Sequence, residues 1–140
     1  MAGAGRIHRA RRGELAGDRV VQFRAPEGHK LAGPGYCHIT GLAWSGRGRI
    51  ERVEVSADAG RTWNDATLQE PRLPIAFTRF HFPWNWDGKE AVLQSRSTDE
   101  SGYVQPTKEA LVAVRGLNSQ YHYNGIKAWK ILADGSVSNA

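Results

Sequence analysis

The side chains that could bind a metal or act as nucleophiles are few and widely spaced in this chain. It has one cysteine, Cys37, and five histidines, at positions 8, 29, 38, 81 and 122. Transition-metal sites use several such ligands, commonly as His-x-x-x-His or Cys-x-x-Cys pairs, and neither pair occurs. We therefore predict no metal site, and we interpret Cys37, which has no identifiable partner base, as a strand residue rather than a nucleophile.

The carboxylates offer no acid–base pair that stands out. Asp99 and Glu100 are adjacent, but they lie in a polar segment rich in Ser and Gly, where solvation and ordinary pKa values are expected. The chain also lacks a Gly-x-Ser-x-Gly elbow, a phosphate-binding loop and a dinucleotide fingerprint. We expect the chain by itself to be non-catalytic.

One motif has a clear structural purpose. Residues 56–63 fit the pattern Ser-x-Asp-x-Gly-x-Thr-Trp, which resembles the Asp box of sialidase-type β-propellers. In such a turn Asp58 can accept backbone N–H bonds, Gly60 can adopt a positive φ and Trp63 can pack the loop against the sheet. The pattern occurs once, whereas a propeller repeats its blade at least about four times, so the length excludes a propeller and favours a structural turn.

Composition bounds the class of protein. The 140 residues suit one domain, and no apolar run approaches the roughly 20 residues that a membrane-spanning helix needs. The net charge of +5 is uneven, because residues 1–30 hold seven Lys and Arg against three acidic residues. A basic region confined to a Gly-rich terminus is typical of a solvated tail, so we predict no nucleic-acid partner and no membrane partner.

Turn signals and alternating apolar residues predict an all-β protein. We expect an immunoglobulin-like, two-sheet antiparallel sandwich of about seven strands. Residues 1–17 are predicted to be a disordered or atypical leader, and residues 18–138 the domain. In the third strand we expect a bulge at Ile50, with Arg52 and Glu54 facing water. The predicted strands cover 20–24, 36–45, 50–56, 76–84, 90–98, 107–114 and 128–132.

Three ordered motifs resemble a known family. They are GLAWSG at 41–46, SADAGRTW at 56–63 and TDESGYVQP at 98–106, and together they resemble the C-terminal dimerisation domain of the sulfite oxidase family of molybdenum-cofactor oxidoreductases. The resemblance covers residues 20–138. Through residues 41–53 and YHYN at 121–124 it extends to the molybdenum subunit of the sulfane dehydrogenases of bacterial sulfur-oxidising (Sox) systems.

This resemblance implies a role within a larger enzyme. It implies a homodimer, and a separate catalytic domain that binds molybdopterin and supplies the molybdenum-ligating cysteine. Cys37 does not match that ligand, so no cofactor is expected on this chain. The complete enzyme would oxidise inorganic sulfur compounds and pass electrons to a c-type cytochrome, in the periplasm.

The resemblance also implies roles for individual residues. It places Arg115 where family members direct an arginine towards the substrate pocket of the catalytic domain, although a surface arginine at the end of a strand is an equal interpretation. The candidate interface residues are aromatic or lie beside aromatics: Trp84, Trp86, Tyr121, His122 and Tyr123.

A different class of function stays open at this point. A free-standing immunoglobulin-like module could bind carbohydrate or protein, with Trp84 and Trp86 as its platform. Exposure of both indoles would favour that module, and burial of both would favour the dimerisation domain.

Overall fold

Alternating burial along the strands builds two sheets. In the computed structural model, which describes residues 21–23, 30–31, 33–74, 76–115, 125–126 and 128–139, Ile39 and Ala43 are buried while Tyr36 and His38 on the same strand are exposed. Successive side chains of a strand point to opposite faces, so one face of each sheet meets the core. The elements are β1 Val21–Phe23, β2 Gly35–Ala43, β3 Ile50–Ser56, β4 Asn64–Asp65, β5 Thr67–Leu68, β6 Thr78–Trp86, β7 Ala91–Asp99, α1 Lys108–Arg115, β8 Ala128–Ile131 and β9 Val137–Asn139.

The two sheets pack face to face. Sheet 1 has the strand order β1-β2-β6-β5, sheet 2 has the order β4-β3-β7-β8-β9, and neighbouring strands in both are antiparallel. Ile39 and Phe80 of sheet 1 meet Val53, Val55 and Trp129 of sheet 2 in one apolar core. The predicted all-β sandwich is confirmed. Three of the nine strands in the described residues were not predicted, β4, β5 and β9, and each has only two or three residues.

Strand boundaries agree with the sequence pattern to within a few residues. The third predicted strand is β3 with the expected limits, and its pairing with β7 shifts register between Ile50 and Arg52, as a bulge requires. The prediction for 76–84 is displaced by two residues from β6, Thr78–Trp86. Residues 1–17 lie outside the described residues.

The prediction of a strand at 107–114 is wrong, because this segment forms the helix α1. The Thr107 hydroxyl accepts the Ala110 N–H at 3.2 Å, an N-cap bond, and the Leu111 N–H donates to the Thr107 carbonyl at 3.0 Å. Leu111 is buried, whereas Val114 is 84% exposed. Its β-branched valines favour a strand, but the cap and the burial of Leu111 decide for a helix. Within the described part of the chain, no helix is long and apolar enough to cross a membrane.

Candidate functional site

The turn at 56–63 is held together by its own polar groups. Asp58 accepts hydrogen bonds from the Thr62 N–H at 2.9 Å and from the Ser56 hydroxyl at 2.8 Å. The Ser56 hydroxyl oxygen accepts the Gly60 N–H at 2.8 Å, and Gly60 has a φ of 85°. Hydrogen bonds from the hydroxyl and N–H of Thr62, then from Ser56, lower the pKa of Asp58 to about 2. These contacts are internal to the turn, so they shape the loop rather than a site for a ligand.

Trp63 packs this turn against the outer face of sheet 2. The guanidinium carbon of Arg96, on β7, lies 4.2 Å from the centre of the Trp63 ring, a cation–π distance. Arg96 also donates to both carboxylate oxygens of Glu54, from Nε at 2.7 Å and from Nη2 at 3.2 Å. Arg52 adds a third cationic contact, at 3.2 Å from the same carboxylate.

The expectation that Glu54 faces water is therefore wrong. Glu54 does point away from the core, as the strand alternation requires, but Arg52 and Arg96 cover it and leave it buried. A buried carboxylate is tolerated when cations and hydrogen bonds compensate its lost hydration. The contact with Arg96 has no local signal in the sequence, because register places Arg96 opposite Glu54 only once β3 and β7 are paired.

The expectation that Asp99 is solvated with an ordinary pKa is also wrong. Asp99 is 1% exposed and joins two loops, accepting the Ser45 hydroxyl at 2.6 Å and the Ser101 N–H at 3.0 Å. Burial by itself raises the pKa of Asp99, but hydrogen bonds from Ser101, Ser45 and the Tyr103 N–H outweigh burial and hold it below its usual value. The neighbouring Glu100 is exposed.

Trp84 and Trp86 do not form an exposed platform. The Trp86 side chain lies in the core with a residue exposure of 2%, and its indole N–H donates to the Lys89 carbonyl at 2.7 Å. Trp84 is half-buried, packs against the same core and has its ring centre 6.4 Å from that of Trp86. A free-standing binding module would be favoured if both indoles were exposed. Neither is exposed, so the structure does not favour that module.

The remaining residues named from the sequence lie at or beyond the edge of the described residues. Arg115 is the last residue of α1 rather than the end of a strand, and its side chain lies outside the described part of the structure. Tyr121, His122 and Tyr123 lie outside the described residues. The roles that the sequence suggests for these four residues stay predictions.

Cys37 does not fit a molybdenum ligand. Its side chain is half-buried and packs against the core, its Sγ lies 3.7 Å from the Gly35 carbonyl oxygen, and burial raises the pKa of the thiol. A metal-ligating cysteine must be a thiolate, which burial in apolar surroundings disfavours. Within the described residues, no group of three or more His, Cys, Asp or Glu side chains could hold a metal ion.

A cluster that was not predicted from the sequence lies on the outer face of sheet 1. His38 on β2 and His81 on β6 have ring centres 5.3 Å apart with planes inclined at 71°. Register pairs Thr40 with His81 and His38 with Pro83, so the two imidazoles are diagonal neighbours. Alternation along each strand could have placed both histidines outside, but only the pairing of β2 with β6, which three other strands separate in the sequence, brings them together.

Comparisons with known proteins identify the domain. Residues 25–128 match the family described as the Mo-co oxidoreductase dimerisation domain. The chain is 34% identical over 102 residues to sulfite oxidase of Gallus gallus, covering 64% of this chain and 21% of that protein. It is 34% identical over 79 residues to nitrate reductase [NADH] of Solanum lycopersicum, covering 50% of this chain and 9% of that protein.

A solved structure extends the likeness to three dimensions. The crystal structure of the sulfane dehydrogenase SoxCD from Paracoccus pantotrophus matches with a TM-score of 0.82 and 52% identity, over 87% of this chain and 31% of that chain. The chain thus spans a third or less of the proteins it matches. It belongs to the Mo-co oxidoreductase dimerisation domain family.

Proposed function

We propose that this chain is the dimerisation domain of a molybdenum-cofactor oxidoreductase that oxidises an inorganic sulfur compound, and that it self-associates as a homodimer. The observation that carries the proposal is the match to the sulfane dehydrogenase SoxCD, with a TM-score of 0.82 at 52% identity. Homodimerisation has a physical motive, because an open sandwich leaves sheet edges and faces that a two-fold contact can cover.

The identity values favour a sulfur substrate. The chain is 52% identical to the sulfane dehydrogenase and 34% identical to both the sulfite oxidase and the nitrate reductase. A domain that occurs in oxidases and reductases of different substrates does not set the substrate by itself. Sulfane sulfur is proposed on the higher identity, and sulfite on the match to sulfite oxidase. A c-type cytochrome partner and a periplasmic location are proposed on the resemblance to sulfane dehydrogenases.

The chain itself would contribute to catalysis only by directing a side chain towards the substrate pocket of the catalytic domain. Molybdopterin would supply the redox chemistry from a separate domain, since Cys37 does not fit as a ligand. Arg115 is proposed as a residue that this domain sends towards that pocket, where the planar fork of a guanidinium can donate two parallel hydrogen bonds to the oxygens of sulfite or sulfate. The isolated chain should therefore associate with itself but perform no turnover.

Two measurements on the purified chain test the proposal. Copies bearing two different affinity tags are co-expressed and purified through one tag, and we expect the other tag to be recovered with it. The same preparation is assayed for sulfite-dependent reduction of ferricytochrome c, and no activity is expected. Recovery of a single tag would contradict dimerisation, and turnover by the chain alone would contradict the non-catalytic role.

A further inference from the structure

The outer face of sheet 1 differs in chemistry from the rest of the surface. We call it the histidine face and define it by six side chains that point away from the core: Tyr36, His38 and Thr40 on β2, and Arg79, His81 and Pro83 on β6. Tyr36 is 71% exposed, and His38, Arg79 and Pro83 are exposed as well. The face is thus a band of rings and short polar groups open to solvent.

Charge distinguishes this face from that of the opposite sheet. The sequences of the four strands of sheet 1 contain no Asp or Glu, and Arg79 is their one Lys or Arg. On sheet 2, Glu54 is bound by Arg96, Asp65 by Arg52 and Glu90 by Lys130. Covering sheet 2 would strip water from many charges, whereas covering the histidine face strips water from few.

A two-fold contact requires a face that is compatible with itself. Each group of an isologous interface meets the same patch on the partner, so a face without strong charge of one sign can meet its own copy. Tyrosine is enriched in the cores of protein interfaces, and the exposed Tyr36 ring lies 6.5 Å from that of His38 in an edge-on arrangement. These features favour a second copy of this chain over a charged partner.

His81, at the centre of the face, is poorly placed to hold a proton. His81 Nδ1 is buried and has no hydrogen-bond partner among the described residues. Burial, then the neighbouring His38 and Arg79, lower the pKa of His81. The strands that flank the pair add no acid: β1 and β5 contain no ionisable residue, β6 contributes Arg79, and β2 contributes Tyr36 on this face.

We propose that two copies of this chain associate through the histidine face, and that His38 and His81 make this association dependent on pH. The proposal rests on the proposed homodimerisation and adds its surface and its regulation. Association would remove these imidazoles from water and bring four of them together, both of which disfavour the charged form, so the dimer would bind fewer protons than two monomers. By linkage the dimer is favoured above the imidazole pKa of the free chain and is lost as pH falls below it.

The surface is tested by placing a charge on it at pH 8. Tyr36→Asp adds a carboxylate at an exposed position, and Leu73→Asp, at a residue 55% exposed in the connection between β5 and β6, is the matched control. Sedimentation equilibrium should show the dimer Kd of Tyr36→Asp raised about a hundredfold or more, because association would strip water from an added carboxylate on each copy. We expect Leu73→Asp to stay within about threefold of the original chain.

The regulation is tested by titration between pH 8 and pH 5.5. The dimer Kd of the original chain should rise about a hundredfold, the sum of modest pKa changes at four imidazoles. The double variant His38→Gln/His81→Gln should vary by less than about threefold over the same range. Circular dichroism checks that each variant is folded, and the exposed His38→Gln alone replaces the double variant if that one unfolds.

The outcomes separate the two proposals. A monomer at pH 8 in the original chain overturns homodimerisation and the histidine face together. A dimer that tolerates Tyr36→Asp, as association through the edge strands would, overturns the face but not the dimer. A dimer that Tyr36→Asp disrupts but whose Kd does not change with pH overturns the role of the two histidines.

Discussion

Asp99 shows at the scale of one residue how a polar segment becomes part of the core. Its place in a Ser- and Gly-rich turn was visible in the sequence, and solvation followed as the ordinary expectation. The error arose because Ser45, 54 residues earlier, donates to the same carboxylate. A contact at that separation has no local sequence signal, so the turn could be predicted but the burial could not.

Replacement of Asp99 by Ala should be strongly destabilising. The change leaves the Ser45 hydroxyl and the Ser101 N–H without their buried acceptor, and we expect a loss of about 2–4 kcal/mol in the free energy of unfolding. Urea denaturation measures it. Glu100→Ala is the control, because this exposed neighbour makes a surface ion pair with Arg49 and its loss should cost less than about 1 kcal/mol. Equal losses in the two variants would contradict the account.

Asp58 should titrate far below an ordinary aspartate. Nuclear magnetic resonance of its carboxyl carbon should give a pKa of about 2, because Thr62 and Ser56 donate to the ionised form. Since the folded pKa is lowered, the stability that Asp58 contributes is present above the ordinary value near 4 and is lost as pH falls towards 2.

The source of this shift can be tested with a single change. Thr62→Val removes the largest contribution, the hydroxyl hydrogen bond, and should raise the pKa of Asp58 towards its usual value. Thr67→Val, a similarly exposed threonine on β5, is the control and should leave it unchanged. An Asp58 pKa near 4 in the original chain would show that these hydrogen bonds do not persist in solution.

At the scale of the element, the alternation of apolar and polar residues predicted the positions of most strands well. It predicted poorly which of their outward-facing side chains are buried. β3 was located to the residue, yet Glu54 on it is buried, because Arg96 on the neighbouring strand β7 and Arg52 on β3 itself cover it. α1 shows the opposite failure. Its valines favour strands, and a cap by Thr107 together with burial of Leu111 determines the helix. Local propensity is overruled where a cap and tertiary contact agree.

The β8–β9 hairpin depends on a glycine that contacts a distant segment. Gly135 has a φ of 86°, and a Cβ added there would lie 2.3 Å from the Leu31 carbonyl oxygen. The Leu31 N–H donates to the Gly135 carbonyl at 2.8 Å, so the two backbones cannot separate without losing this bond. The turn joins the end of sheet 2 to the segment that precedes β2.

Gly135→Ala should therefore lower the free energy of unfolding by about 2–4 kcal/mol, the sum of left-handed strain and a backbone clash. Gly102→Ala is the matched variant, because Gly102 has a φ of 81° with nothing within 4 Å of an added Cβ. It should cost only about 1–2 kcal/mol, the strain alone. Thermal or urea unfolding measures both, and a Gly135 variant no less stable than the Gly102 variant would contradict the close approach.

At the scale of the whole molecule, the sandwich presents two unlike faces. Sheet 2 is covered by ion pairs and by the Trp63 turn, while sheet 1 presents the nearly uncharged histidine face. The spacing of strands and turns predicted the sandwich, and the three motifs predicted the family. Which face is free to associate could not be predicted, because it depends on strand pairing and on ion pairs that form between strands.

The proposed role depends above all on the ability of this chain to form a homodimer without a catalytic domain. Light scattering behind size exclusion at pH 8, over a dilution series, measures its mass directly. The account predicts a species of twice the 15.5 kDa chain mass that persists on dilution into the micromolar range. A mass of 15.5 kDa at every concentration would contradict it.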